Sequence, residues 1–245
     1  MKTRAARTIV SIAVAAALTL SLRVAIARAD DGGAEPMNLE RGLHEHFGAW
    51  FLTASPFGST APLDDWGMGA GFIFGIGWGK IPLTVGVDFM ALWWGTSTSP
   101  ALVDLGDRSA RVELRRSDNT IFFDAWLRAQ PQSWFVRPYL EGVVGWKQVY
   151  TDYSLRFVGG SGATDKTTSD AGASTYGFGL GLDVTLAHND QGAVAFVTLG
   201  IRRLSGGRAS FTRGPDAVTG DPRSRFEVST DTTIIQLGII AIASP

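Results

Sequence analysis

Eight charged residues stand singly in runs that are otherwise apolar or glycine-rich: Asp88, Asp124, Arg128, Arg137, Glu141, Lys147, Asp183 and Arg202. A carboxylate pair such as Asp88 and Asp124 has the residue types for general acid–base work. Four acids are matched by four bases, however, and a charge buried alone is costly, so the set reads first as structural ion pairs. Histidine offers the other chemistry. His44 and His46 flank Glu45 in an H-x-H spacing that places two imidazoles on one face of a strand, where both could ligate a metal. No third ligand lies close in sequence, and the pair is expected at a rim just ahead of the first strand, so neither a metal nor a cofactor is expected. His188 falls in "HNDQG", a turn composition, and is expected to be solvated. The 245 residues contain no cysteine, which excludes disulfides, thiolate metal sites and a cysteine nucleophile.

The elements that must hold these groups are strands. In "WGMGAGFIFGIGWG", residues 66 to 79, Trp66, Met68, Ala70, Phe72, Phe74, Ile76 and Trp78 share one face and glycines fill the other, with Ile73 the exception. Residues 83 to 94 set Leu83, Val85, Val87, Phe89, Ala91 and Trp93 against Thr84, Gly86 and Asp88. Residues 120 to 128 set Ile121, Phe123, Ala125 and Leu127 against Phe122, Asp124, Trp126 and Arg128. Residues 134 to 148 oppose Val136, Leu140, Val144 and Trp146 to Arg137, Tyr139, Glu141 and Lys147; residues 175 to 186 oppose Tyr176, Phe178, Leu180 and Leu182 to three glycines and Asp183. Residues 45 to 54, 193 to 203 and about 230 to 243 complete eight strands. Glycine at strict period two lines a strand face and is no phosphate cradle.

Tight turns at 79–82, 129–133 and 187–192 alternate with polar stretches of about 10 to 25 residues that follow every odd strand. Such asymmetry, short turns on one side and long loops on the other, belongs to membrane barrels. A soluble lipocalin-like barrel would invert the faces, packing the large side chains inside. Trp66 and Trp78 decide between them: twelve residues apart on one face, they stand roughly 30 Å apart in height at a strand tilt near 40°. That matches two aromatic girdles, to which Trp93 and Trp146 also belong. Glycine and balanced charge then face a narrow lumen, where side chains compete for space. Phe122, Trp126, Tyr139 and Phe196 point inward and plug it, so no open pore is expected. Asp124, Arg137, Glu141 and Asp183 fall toward the short-turn half, where they are expected to form one network with Asp124 pairing Arg137. The expected fold is all-β, an eight-stranded antiparallel up-and-down transmembrane β-barrel.

"RPYLEGVVGW" (Arg137 to Trp146) and "GFGLGLDVTL" (Gly177 to Leu186) resemble the small outer-membrane β-barrel superfamily, the eight-stranded OmpA, OmpX and OmpW type. The resemblance covers the mature chain as architecture and implies an outer-membrane location in a Gram-negative cell envelope, with the barrel-assembly machinery as a partner. It implies a range of roles: membrane anchors, surface adhesins, porin-like routes for small hydrophobic molecules and a few lipid-modifying enzymes. Family members usually end on an aromatic residue, whereas this sequence ends Ile242-Ala243-Ser244-Pro245, a departure that bears on assembly.

Residues 1–29 form a basic start, an apolar run and Ala27-Arg28-Ala29, a secretory signal peptide with its cleavage motif. Residues 30–39 are expected as a short periplasmic lead and 40–245 as the barrel domain. Cleavage removes Lys2, Arg4, Arg7, Arg23 and Arg28 and leaves 17 of the 22 Lys and Arg against 23 Asp and Glu, a net charge of −6. A chain so acidic carries no footprint for nucleic acid. The last long stretch concentrates Arg203, Arg208, Arg213, Arg223 and Arg225, which could meet anionic lipopolysaccharide or a surface polymer; a mobile solvated loop is the plainer reading. No serine–histidine pairing of a lipid-cutting enzyme is present. The expected function is therefore non-enzymatic: a structural barrel or a lateral route for small hydrophobic solutes, with a surface adhesion protein acting through its long loops as the alternative and a lipid-modifying enzyme behind both.

Overall fold

The computed structural model describes residues 43–56, 66–79, 81–104, 109–131, 134–157, 165–188, 194–212 and 225–243. The signal peptide and the lead expected over residues 1–39 lie outside them. Among the described residues there are ten strands: β1 (Leu43–Pro56), β2 (Gly67–Trp78), β3 (Ile81–Asp104), β4 (Ser109–Ala129), β5 (Val136–Phe157), β6 (Asp165–His188), β7 (Val194–Gly206), β8 (Arg208–Thr212), β9 (Arg225–Ser229) and β10 (Thr232–Ala243). Eight of them close a barrel in the cyclic order β1-β10-β7-β6-β5-β4-β3-β2, and β8 pairs with β9 alone. Every barrel seam is antiparallel, and the last seam runs from Glu45 opposite Ala243 to Pro56 opposite Thr232. Closure satisfies each strand's backbone donors and acceptors from a neighbour, which is the condition for standing in hydrocarbon.

The alternation read from sequence maps onto two solvents. Met68 to Trp78 of β2 alternate outward and inward as expected, and Ile73 is buried among the inward glycines. Outward-facing Phe72, Phe123, Leu140, Val144, Trp146, Phe178 and Ile239 are each more than half exposed, whereas inward Phe122, Asp124, Phe196 and Arg202 are sealed. An outward apolar residue recurs along β5 from Val136 to Trp146 and along β3 from Leu83 to Trp93, before Gln148 and Thr96 take over. Ten residues of tilted strand give a belt about 25 Å tall, the hydrocarbon thickness that outer-membrane barrels match.

Glycine makes the lumen packable. A Cβ on Gly75 would stand 2.6 Å from Cη2 of Trp126, and Gly86 on the next strand lies under the same ring. Gly95 is required for a different reason, since its φ of 119° is open to glycine and closed to most other residues. It forms the bulge where β3 gains one residue on β4, which leaves Trp94 pointing inward and shifts the outward face from Trp93 to Thr96. The Trp94 indole then donates to Oγ1 of Thr120 at 2.8 Å.

Three expectations are corrected. β3 to β6 run 24, 21, 22 and 24 residues against 12 to 14 for β1, β2, β7 and β10, so much of the expected loop between strands three and four, and between five and six, is strand. Residues 165–174, expected as part of a long loop, pair with β5 from Asp165 opposite Leu155 to Ser174 opposite Trp146. Beyond the belt the outward face no longer calls for apolar side chains, so composition there turns to Ser, Thr and Asp without ending the ladder. The last long stretch likewise contains the β8–β9 hairpin, with Phe211 opposite Phe226. Finally, His44 and His46 belong to β1 and point into the barrel, buried, rather than sitting on a solvated rim.

Candidate functional site

Period-two alternation sends all eight singled-out charges into the lumen, each 2 % exposed or less. β3 and β4 place Asp88 directly opposite Asp124. β4 and β5 place Arg128 opposite Glu141, and β5 and β6 place Arg137 opposite Asp183. Arg202 reaches across from β7. Its Nε donates to Glu141 Oε1 at 2.6 Å and its Nη1 to Asp88 Oδ2 at 2.6 Å. Glu141 uses its other oxygen for Arg128, 2.9 Å from Nη2 and 3.2 Å from Nε. Arg128 also lies 3.7 Å from Asp183, as does Arg137. Gln130 Nε2 closes this end by donating to Asp183 at 2.6 Å.

One continuous chain of charge therefore runs Asp88, Arg202, Glu141, Arg128, Asp183, Arg137. Aromatic faces line it: Arg128 sits 3.9 Å above the Tyr139 ring, Arg137 3.8 Å above Phe196, and Arg202 5.0 Å from the centre of Trp50. A guanidinium on an aromatic face keeps a favourable electrostatic contact where water is excluded. The four rings expected to plug the bore, Phe122, Trp126, Tyr139 and Phe196, are all buried within it. Each network carboxylate is sealed and engaged by arginine, so the arrangement neutralises charge and staples five strands together.

Two of the eight residues stand apart from this chain. Arg137 pairs with Asp183 and not, as expected, with Asp124; the stagger of the strands carries Asp124 to another level. Both Asp124 oxygens are without a hydrogen-bond partner among the described residues. Lys147 donates instead to the backbone carbonyl of Thr230, the residue after β9. Sequence reading also missed members. Asp118 is buried, accepts from Thr151 at 2.6 Å and pairs with Arg116 at 3.0 Å. Its signal was present, since Asp118 continues the inward parity of Asp124 and Arg128 along β4. His46, expected at the rim, is instead packed inside, its Nε2 2.9 Å from where a Gly77 side chain would begin. Among the described residues no group of three or more potential ligands is arranged to hold a metal ion.

No protein-family model matches the chain, and no curated protein does either. Among solved structures it is similar to Neisserial surface protein A at 13% identity, over 83% of this chain and 97% of that one, with a TM-score of 0.37. It is similar to Ail, the attachment invasion locus protein of Yersinia pestis, in complex with the heparin analogue sucrose octasulfate, at 8% identity over 82% and 99% with a TM-score of 0.39. The outer membrane protein OprG from Pseudomonas aeruginosa matches at 16% identity over 84% and 98% with a TM-score of 0.36. The barrel architecture rests on this chain's own strand ladder and on none of the three.

The outside of the barrel carries the remaining expected residues. Trp66, Trp93 and Trp146 are exposed at the end of the belt toward the long strands, and Trp78 at the short-turn end. Of the loop arginines, Arg203 is on the outward face of β7 opposite Phe178, and Arg208 is exposed in β8. Arg225 opens β9, whereas Arg213 and Arg223 lie outside the described residues. Of the three described, Arg203 belongs to the barrel wall and Arg208 and Arg225 to the β8–β9 hairpin. Beyond the belt, β3 to β6 continue together as a four-stranded sheet. Its inner face buries Val112, Leu114, Val149 and Tyr153 beside the polar pair Asp118 and Thr151, and its outer face carries exposed Arg111, Glu113, Arg115 and Arg156.

Proposed function

We propose that this chain is an outer-membrane barrel protein that works at the cell surface, its barrel an anchor and its projecting sheet the contact surface. One observation carries the reading: β3 to β6 outrun the other barrel strands by about ten residues, which at the usual rise and tilt lifts a sheet roughly 25 Å clear of the belt. A membrane anchor alone needs none of that length, and the packed, neutralised lumen favours work outside the barrel over passage through it. Arg203, just beyond outward Ile201, is suited to the phosphates of lipopolysaccharide at the belt's edge.

Shortening the projection in register tests this. Residues 97–116 pair from Ser97 opposite Arg116, and residues 149–171 from Val149 opposite Ala171, so each pair of ends can be rejoined by a two-residue turn. Cells displaying the full chain are expected to adhere to at least one member of a panel of immobilised glycans and matrix proteins. The shortened barrel is expected to fold, migrating compactly in detergent until heated, and to lose that adhesion. Equal adhesion by the shortened form, or none by the full chain, would contradict the proposal.

A second reading, a route for small hydrophobic solutes, is favoured by the cluster of Leu52, Ala54, Leu92, Trp94, Leu204 and Ile234, all buried toward the outer end of the lumen. Vesicles bearing the protein would then accumulate a small apolar dye faster than empty vesicles, with the shortened form no slower than the full chain.

A further inference from the structure

Of the eight charges singled out from the sequence, Lys147 and Asp124 are the two that the ionic chain leaves out, and they point at each other's solution. Asp124 is 0 % exposed, with neither oxygen hydrogen-bonded among the described residues. Lys147 projects inward from β5 two residues beyond Gly145, and Gly145 is the residue directly opposite Asp124. Diagonal neighbours on one face of an antiparallel pair lie within reach of a long side chain. Gly145 places no side chain between the two, and a Cβ there would strike the Asp124 carboxylate. The charge count agrees, because the other six members of the set, three acids and three bases, already balance.

The lysine instead reaches outward. It donates to the carbonyl of Thr230, which with Asp231 links β9 to β10. Both roots of the β8–β9 hairpin converge there. Thr230 Oγ1 donates to the Gly207 carbonyl at 2.8 Å, the Gly206 amide donates to Asp231 Oδ1 at 2.9 Å, and the Gly207 amide donates to the Ser174 carbonyl at 2.9 Å. Ala209 of β8 packs with Val149 and Ala171, which face inward on β5 and β6, so the hairpin lies over the outer mouth of the barrel.

We propose that Lys147 is a two-position latch: on the Thr230 carbonyl it holds the hairpin over the mouth, and when the hairpin lifts it turns down to pair with Asp124. Each position has a defect that the other repairs. With the hairpin docked, a buried carboxylate receives no hydrogen bond from a cation among the described residues. With the hairpin lifted, the carboxylate is paired and the Thr230 carbonyl meets water. The cell surface and the ionic lumen are thereby coupled through one side chain, and a partner that binds the lifted hairpin is helped by the ion pair formed beneath it.

The test is amide hydrogen exchange at Gly206 and Gly207 in the full chain folded in detergent. Asp124→Asn keeps the shape and removes the reward for lifting, so exchange at both amides is expected to slow by at least threefold. In a Lys147→Met background the same substitution is expected to change nothing, because Asp124 acts on the hairpin only through the lysine; Lys147→Gln supplies a second uncharged background where the methionine variant does not fold. Unchanged or faster exchange in Asp124→Asn, or an effect that persists without the lysine, would overturn the latch.

Discussion

Replacing Arg202 with methionine should expose how much the ionic lumen holds. Arg202 is fully buried, and from β7 it joins β3 to β5 through bonds of 2.6 Å to Asp88 and 2.6 Å to Glu141. Methionine fills most of the side-chain volume and leaves the two carboxylates in place. Glu141 keeps Arg128 at 2.9 Å. Asp88 loses its arginine, and its Oδ1 already has no partner, so it becomes a buried unpaired charge. Two charge-assisted hydrogen bonds are worth about 1.5 to 3 kcal/mol each. Breaking a buried pair from one side costs about 3 to 5 kcal/mol, and that narrower range is the expected loss. Equilibrium urea unfolding in lipid vesicles, followed by tryptophan fluorescence, measures it. Adding Asp88→Asn removes the stranded charge and should return part of the loss, since a neutral amide is cheaper to bury. Stability of Arg202→Met within about 1 kcal/mol of the parent would refute the idea that these charges are desolvated and mutually dependent.

Two further substitutions read the faces of the wall. Gly75→Val should prevent folding or cost several kcal/mol, because its first side-chain carbon would already crowd Trp126 at 2.6 Å, whereas Gly142→Ala, with nothing within 4 Å of its Cβ, should be neutral in the same unfolding assay. Phe72→Arg should cost about 2 to 4 kcal/mol in vesicles, as expected for a cation in mid-belt, while Thr98→Arg on the exposed projecting sheet should cost nothing measurable.

The barrel is legible because lipid and lumen impose opposite demands on neighbouring residues. Trp93 and Asp88, Trp146 and Glu141 or Phe178 and Asp183 can each be placed on a face by parity alone. Parity says nothing of height, however. Arg202 and Asp88 meet across 114 residues of sequence and several strands, and which charges share a level depends on the stagger of the closed sheet. Hence parity matches Asp124 with the wrong arginine. The projecting sheet is hidden for a different reason. Val112 and Leu114 do alternate with Arg111, Glu113 and Arg115, but without lipid outside, the polar partners read as loop. His44 and His46 fall at a strand end, the part of an element where hydrophobic pattern is weakest, so a start expected two residues late puts them on a rim; outward Leu43 is the available clue.

The outer-membrane proposal puts the barrel's large outward side chains against acyl chains, and two adjacent residues test this. Trp93 is 41% exposed and faces outward, while Trp94 beside it is 1% exposed and bonded to Thr120 inside. Variants retaining one or the other as sole tryptophan should be folded into vesicles of lipid brominated near the headgroup, since both lie at the outer edge of the belt. Strong quenching of Trp93 with Trp94 spared is the expected result. Equal quenching of the two, or preferential quenching of Trp94, would contradict it.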